Sequence, residues 1–353
     1  MNIRRFSLPL HHLVVASLVC LFLFPNITQS SDTPRRVTDF SGKTLHLPDK
    51  IERVAPTIGA FAQITAILSQ GDVAIAAAAT SNISRRFKKV FPWYAKGNPN
   101  EYDIASLEDI IASDAQVVYG PQIRFSDEQL RTLEKAGIPF VTVDKLSTID
   151  ELCESTLLIG DILGGKAPDR ALTFVSYYKN NVAEAKKRTK DIVRKPRFIT
   201  MSYSGNAYTT TNRKDISHEY IEAAGGENVA ADFNSDTSGM GLAVDIEQLA
   251  RWDPEVIMMG TPQGRDTVLS DPALAHLSAV KAKKVYACPQ GIYRWSVRSG
   301  EGAMLPLWLG SILHPGLFAD IDMRQVVRDF FKRFYAYDIS DAEIVEVLEH
   351  QSP

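Results

Sequence analysis

Leu107–Tyr119 reads LEDIIASDAQVVY. Its first half places apolar residues at Leu107, Ile110 and Ile111, the three- and four-residue spacing of a helix with one buried side. Its second half closes on Val117, Val118 and Tyr119, a run of strand formers. Ser106 ahead of it, with Asp109 three positions on, is a capping-box signature that fixes the helix start. The stretch therefore predicts a helix leading directly into a buried strand, the repeating unit of a parallel sheet covered by helices.

The same rhythm extends outward. Residues 37–47 (VTDFSGKTLHL) alternate around a Ser-Gly turn and predict a β-hairpin. Arg53–Pro56, Val73–Ala79, Val117–Tyr119 and Phe140–Val143 read as strands, and Phe61, Ile64 and Leu68 mark a helix between the first two. From Thr148 the pattern becomes helical. Ile149, Leu152, Thr156, Ile159 and Leu163 form one stripe ending at Gly164-Gly165. A second stripe runs from Pro168 to about Ile192 through Ala171, Phe174, Tyr178, Val182 and Ala185, a rod of about 37 Å. Beyond Pro196 the strands resume at Phe198–Ser202, Val256–Met259 and Val285–Ala287.

The opening unit also recurs. Ile246–Met258 (IEQLARWDPEVIM) repeats the apolar-Glu start, with Glu247 matching Glu108, Asp253 matching Asp114 and Val256 matching Val117. Asp245 with Gln248 repeats the cap signature. The expected architecture is two duplicated, Rossmann-like α/β lobes, residues 31–165 and 196–353, connected by one long α-helix over 166–195, with the ligand cleft between the lobes.

The chain has 353 residues, 45% hydrophobic and 23% charged, with a net charge of −3, which excludes disorder and a nucleic-acid binder. Arg4 and Arg5 precede an apolar run from Leu13 to Phe24 interrupted by Ser17, then Pro25, Thr28 and Ser30. Twelve such residues make a helix of about 18 Å, short of the roughly 30 Å hydrocarbon core. Residues 1–30 therefore read as a cleavable secretory signal peptide, and without Arg4 and Arg5 the charge of −3 becomes −5. Cys20 lacks the small preceding residue of a lipoprotein signal, since Val19 stands there. Cys153 and Cys288 are too far apart for a redox pair and are expected as buried thiols. No nucleophile elbow, phosphate loop, dinucleotide fingerprint or His-Glu-x-x-His motif is present, so the sequence does not read as an enzyme.

VTDFSGKTLHLP, IERVAP, GAFAQITAILSQGD, LEDIIASDAQVVYG, AGIPFVTVD, HEYIEAAGGENVA, DIEQLARWDPEVIMMG and LPLWLGSILHPGLFADID occur in this order. The chain thereby resembles the periplasmic substrate-binding proteins of iron-siderophore, haem and vitamin B12 ABC importers over about residues 35–340. The resemblance implies a non-catalytic, monomeric binding protein without a cofactor. Its partners would be an inner-membrane permease, an ATPase and a small metal-containing ligand. It also implies that Glu108 and Glu247, one per lobe, dock on the permease. The other reading of these two is a charge complementing each helix dipole.

Ligand contacts are expected where loops and helix starts meet at the carboxyl ends of the strands. On the first lobe these are Thr57, Gly59, Trp93, Tyr94, Tyr119 and Arg124. On the second they are Tyr203, Tyr208, Tyr293, Arg294, Trp295 and Arg298. Arginines grip oxyanions bidentately, and aromatic rings stack on planar chelates. No direct metal ligand is expected, His218 being the one candidate. A ferric siderophore-like iron chelate is the first expectation for the ligand. Molybdate or tungstate, haem and B12 are the alternatives, with an exported enzyme on the same scaffold as the reading from another class.

Overall fold

The computed structural model describes residues 34–75, 86–92, 106–234, 236 and 239–350. The chain opens with an antiparallel hairpin of β1 (Arg35–Thr38) and β2 (Thr44–Leu47). A parallel sheet follows, built from β3 (Arg53–Pro56), β4 (Ala74–Ile75), β5 (Val117–Gly120) and β6 (Phe140–Thr142) in the order β4-β3-β5-β6. A second sheet contains β7 (Arg197–Ser204), β8 (Ala207–Thr210), β9 (Glu227–Asn228), β10 (Leu242–Val244), β11 (Val256–Met259) and β12 (Val285–Ala287). Its order is β10-β8-β7-β11-β12, with β9 paired to β7. Here β7, β9, β11 and β12 run parallel, while β8 and β10 extend the edge antiparallel, an extension the sequence reading did not anticipate. The four residues of β5 and of β11 are all buried, because helices cover both faces of a parallel sheet.

Around the first sheet lie helices α1 (Gly59–Ser69), α2 (Arg86–Val90), α3 (Leu107–Ala112) and α4 (Asp127–Lys135). Then come α5 (Ile149–Leu163) and the long α6 (Ala167–Thr189), about 35 Å at the usual rise. Gly164 ends α5 at φ 70°, and α6 buries Ala171, Phe174, Tyr178, Val182 and Ala185 as its stripe predicted. α6 stops at Thr189, short of Ile192, where the Thr189 hydroxyl lies 3.0 Å from the Ala185 carbonyl and 3.2 Å from that of Ala223. The second lobe adds α7 (Ile216–Ala223), α8 (Ile246–Trp252), α9 (Pro262–Ser270), α10 (Ser278–Lys281) and α11 (Leu305–Leu313). α12 (Met323–Tyr335) and α13 (Asp341–Leu348) complete the chain.

Strand alternation decides what each sheet faces. Val54, Val117, Phe198, Val256 and Met258 belong to one apolar cluster that also contains Phe61 of α1 and Tyr178 of α6. Ala55 and Val118 point the other way into a first-lobe cluster, as Ile199, Met201, Ile257 and Met259 do in the second lobe. The fold is thus two α/β lobes whose inner faces share a continuous core along α6. The helices α12 and α13 return to the first lobe: Tyr335 meets Phe91 edge-on at 5.1 Å, and Arg86 pairs with Glu346 at 2.6 Å.

The duplicated unit keeps its details. Glu108 and Glu247 are both exposed at the second position of α3 and α8, ahead of buried Ile110 and Leu249. Asp114 and Asp253 both adopt left-handed φ, 55° and 38°, a conformation Asp tolerates better than most residues. The caps differ, which corrects the expected match. Ser106 and Asp109 form a reciprocal box, whereas at α8 Asp245 accepts from the Gln248 amide and the Gln248 side chain bonds Arg251 instead. Cys153 and Cys288 are free and buried, and burial pushes the Cys153 thiol up to about 12. Ala76–Ala79 of the expected second strand lie outside the described residues.

Candidate functional site

On β7, Thr200 and Ser202 share the inner face with Phe198, while Met201 and Tyr203 face outward. The antiparallel register sets Thr209 opposite Ser202, so both hydroxyls stand on the same face. With Thr211 they line a cavity of about 210 Å³ at the carboxyl ends of β7 and β11. Arg294 closes one side of it, with Nη1 donating to the Gly260 carbonyl at 3.2 Å. A Cβ at Gly260 would overlap this guanidinium, so the absence of a side chain lets Arg294 lie against the strand end. Asp215 and Ser217, at the start of α7, complete the polar lining. Asp215 caps the helix through the Ser217 amide at 3.0 Å and is paired with Arg298 at 2.8 Å. The Thr200 Oγ1 is buried in the lining without a hydrogen-bond partner. An orphan hydroxyl costs roughly 1–3 kcal/mol.

The first lobe contributes Thr57, whose amide donates to the Tyr119 carbonyl at 3.0 Å and whose Oγ1 is likewise buried and unpartnered. Gly120 lies so close that an added Cβ would overlap that hydroxyl. Thr57, Arg124, Glu108 and Glu128 line a separate cavity of about 350 Å³ between α3 and α4.

A family model described as "Periplasmic binding protein" matches residues 105–291, more than half of the chain. The chain belongs to the periplasmic binding protein family. A curated relative, the molybdate-binding protein MolA of Haemophilus influenzae, is 23% identical over 90% of this chain and 96% of its own length. The structure of MolA bound to molybdate shares the fold with a TM-score of 0.72 at 20% identity, covering 87% of this chain and 99% of that one. A periplasmic solute binding protein from Veillonella parvula gives 0.71 at 23% identity, over 90% and 97% of the two chains. Helicobacter pylori CeuE with Ni(II) bound gives 0.71 at 18% identity, over 89% and 99%. Members of this family bind solutes for ABC transporters, working with an inner-membrane permease and an ATPase. This periplasmic binding protein is accordingly not an enzyme, and no cofactor is indicated.

Within this periplasmic binding protein, several residues expected at the ligand face elsewhere. Tyr119 is fully buried beneath α1, its hydroxyl bonded to Thr65 and its pKa raised by that burial. Trp295 is also fully buried, donating from Nε1 to Glu301 at 2.9 Å. Tyr203 and Tyr208 meet as a tilted pair, ring centroids 4.9 Å apart, on the outer face of the second sheet, where the Tyr208 hydroxyl donates to Asp271 at 2.9 Å. Strand alternation is the reason in both sheets: composition names an aromatic residue but not the face it occupies.

Tyr293 is buried and Gly59 sits inside the first turn of α1. Arg298 is outside the cavity lining and pairs with Asp215, which belongs to it. Trp93 and Tyr94 lie outside the described residues. His218 is half-buried at another surface hollow, 3.4 Å from the Asn228 amide, and desolvation lowers its pKa. Among the described residues no group of three His, Cys, Asp or Glu side chains is arranged to hold a metal. The reading missed Thr200, Ser202, Thr209 and Thr211, and the one available signal was the Thr209-Thr210-Thr211 run beside a strand.

Proposed function

We propose that this periplasmic binding protein captures a small tetrahedral metal oxyanion of the molybdate or tungstate class in the second-lobe cavity. The carrying observation is the cavity itself, about 210 Å³, lined by the hydroxyl residues Thr200, Ser202, Thr209 and Thr211 with Arg294, beside Met240, Val297 and an Asp215 already paired with Arg298. Its volume falls below the roughly 300–1,000 Å³ of sites for drug-sized ligands. Hydroxyl donors and a guanidinium suit an anion rich in acceptor oxygens and short of apolar surface. The relative MolA, named as molybdate-binding, aligns over most of both chains and supports the same class. The iron chelate expected from the sequence relies on aromatic stacking. Tyr119 and Trp295 are interior and Tyr203 and Tyr208 face outward, which weighs against it.

Residues 1–30 act as the export signal in this reading, and exposed Glu108 and Glu247 form the matched acidic contacts for the permease. Titration calorimetry of the purified protein with molybdate, tungstate, sulfate, phosphate and a ferric tris-catecholate complex tests the ligand. Binding of molybdate or tungstate, with at least about hundredfold weaker binding of the ferric complex, is expected; about 2.7 kcal/mol separates the two. Tight binding of the ferric complex alone overturns the proposal in favour of the chelate.

A further inference from the structure

Glu301 lies in the 3-10 turn Gly300–Met304 and is fully buried. It takes four hydrogen bonds, all from neutral donors. Oε2 accepts from the Gly291 amide at 2.8 Å and from Trp295 Nε1 at 2.9 Å. Oε1 accepts from the Ile292 amide at 2.7 Å and from the Tyr335 hydroxyl at 2.7 Å. Burial raises this carboxyl above its ordinary value, and the hydrogen bonds from Tyr335, Ile292, Gly291 and Trp295 offset only part of that rise.

The two amides belong to a tight turn. Gln290 and Arg294 close it as an antiparallel bridge, so Glu301 grips the middle of the turn whose closing residue reaches the cavity. Gly291 is needed for the grip, since a Cβ there would stand 2.7 Å from Glu301 Oε2. The grip continues into the first lobe. Gln63 of α1 donates from Nε2 to the Tyr335 hydroxyl at 2.7 Å and accepts from the Gly300 amide at 2.9 Å. A buried carboxyl carries a desolvation cost, which apolar packing of a turn avoids. Convergent hydrogen bonds supply what apolar packing lacks, a fixed direction for each partner.

We propose that Glu301 is the positioning residue of the ligand site: it fixes the 290–294 turn so that Arg294 is held at the cavity, while Gln63 and Tyr335 tie that turn to α1. The ligand part rests on the oxyanion reading above; the positioning part does not. Two variants test it in the full-length purified protein, Glu301→Gln and Tyr335→Phe. The first places an NH₂ where two donors converge, and the second keeps the ring and removes one donor. Residue-resolved amide exchange and tungstate titration are the readouts.

In Glu301→Gln, protection at Gly291 and Ile292 is expected to fall at least about tenfold while β11 keeps its protection, and tungstate affinity to fall about tenfold or more. Tyr335→Phe should move both in the same direction, by about threefold. Unchanged protection of Gly291 and Ile292 in both variants overturns the proposal. So does a loosened turn with tungstate affinity within about twofold of wild type. Should the wild type bind no oxyanion, the oxyanion reading fails by itself, and selective loss of protection in the turn still supports the positioning role.

Discussion

Thr200 combines two properties that pull in opposite directions: its hydroxyl is buried and unpartnered, and the residue belongs to the lining of the cavity proposed for the oxyanion. Replacing it with isosteric valine removes an unsatisfied polar atom, which stabilises the unliganded protein by about 1 kcal/mol. The same change removes a donor from the ligand, weakening oxyanion binding by about fivefold or more. Urea unfolding and calorimetry on Thr200→Val therefore give changes of opposite sign. A destabilised variant with unaltered affinity removes this hydroxyl from the site. The neighbouring aromatic residues show what residue type alone conveys. Tyr208 and Thr209 are adjacent in sequence, yet one faces the outer core and the other the cavity, because successive strand residues point to opposite faces.

At the scale of elements, α3 and α8 carry the duplication most clearly. Each presents an exposed glutamate at its second position and ends near an aspartate in left-handed conformation. Both glutamates were legible because cap, apolar step and strand start are local features encoded within thirteen residues. What local sequence left open was the cap geometry at α8, where Arg251 takes the Gln248 side chain. If the proposed docking role holds, Glu108→Arg and Glu247→Arg are each expected to reduce uptake through a reconstituted importer at least about tenfold, with ligand affinity retained. Full transport by the double variant assigns both residues to helix capping electrostatics instead.

The whole molecule is held together by segments distant in sequence. α13 carries Glu343, which bonds Lys89 of α2 at 2.7 Å and closes the helix cap with Ser340. Burial raises this carboxyl, but the bonds from Lys89, Ser340 and Tyr337 outweigh it and bring it to about 2, below the ordinary 4.5. A carboxyl depressed in the folded state contributes its stability in full above the unfolded value and loses it as the pH falls. The Tm difference between wild type and Glu343→Gln should therefore be largest above about pH 5 and shrink between about 4.5 and 2. A difference independent of pH across that range removes the charge from this contact.

The sequence by itself determined the two α/β units, the long helix between them, the matched glutamates and the position of Arg294 near the strand ends. These depend on periodicity, caps and short-range spacing, which a chain carries locally. Only the tertiary structure decided that the lobes share one core and that α12 and α13 return to the first lobe. It likewise decided that Glu301 bonds the Gly291 and Ile292 amides of the turn closed by Arg294, and that, among the described residues, Thr200, Ser202, Thr209 and Thr211 line the cavity with Arg294. Those outcomes depend on which strand face turns inward and on contacts such as Gln63 with Tyr335, 272 positions apart. Long-range packing sets them, and local residue spacing carries little information about it.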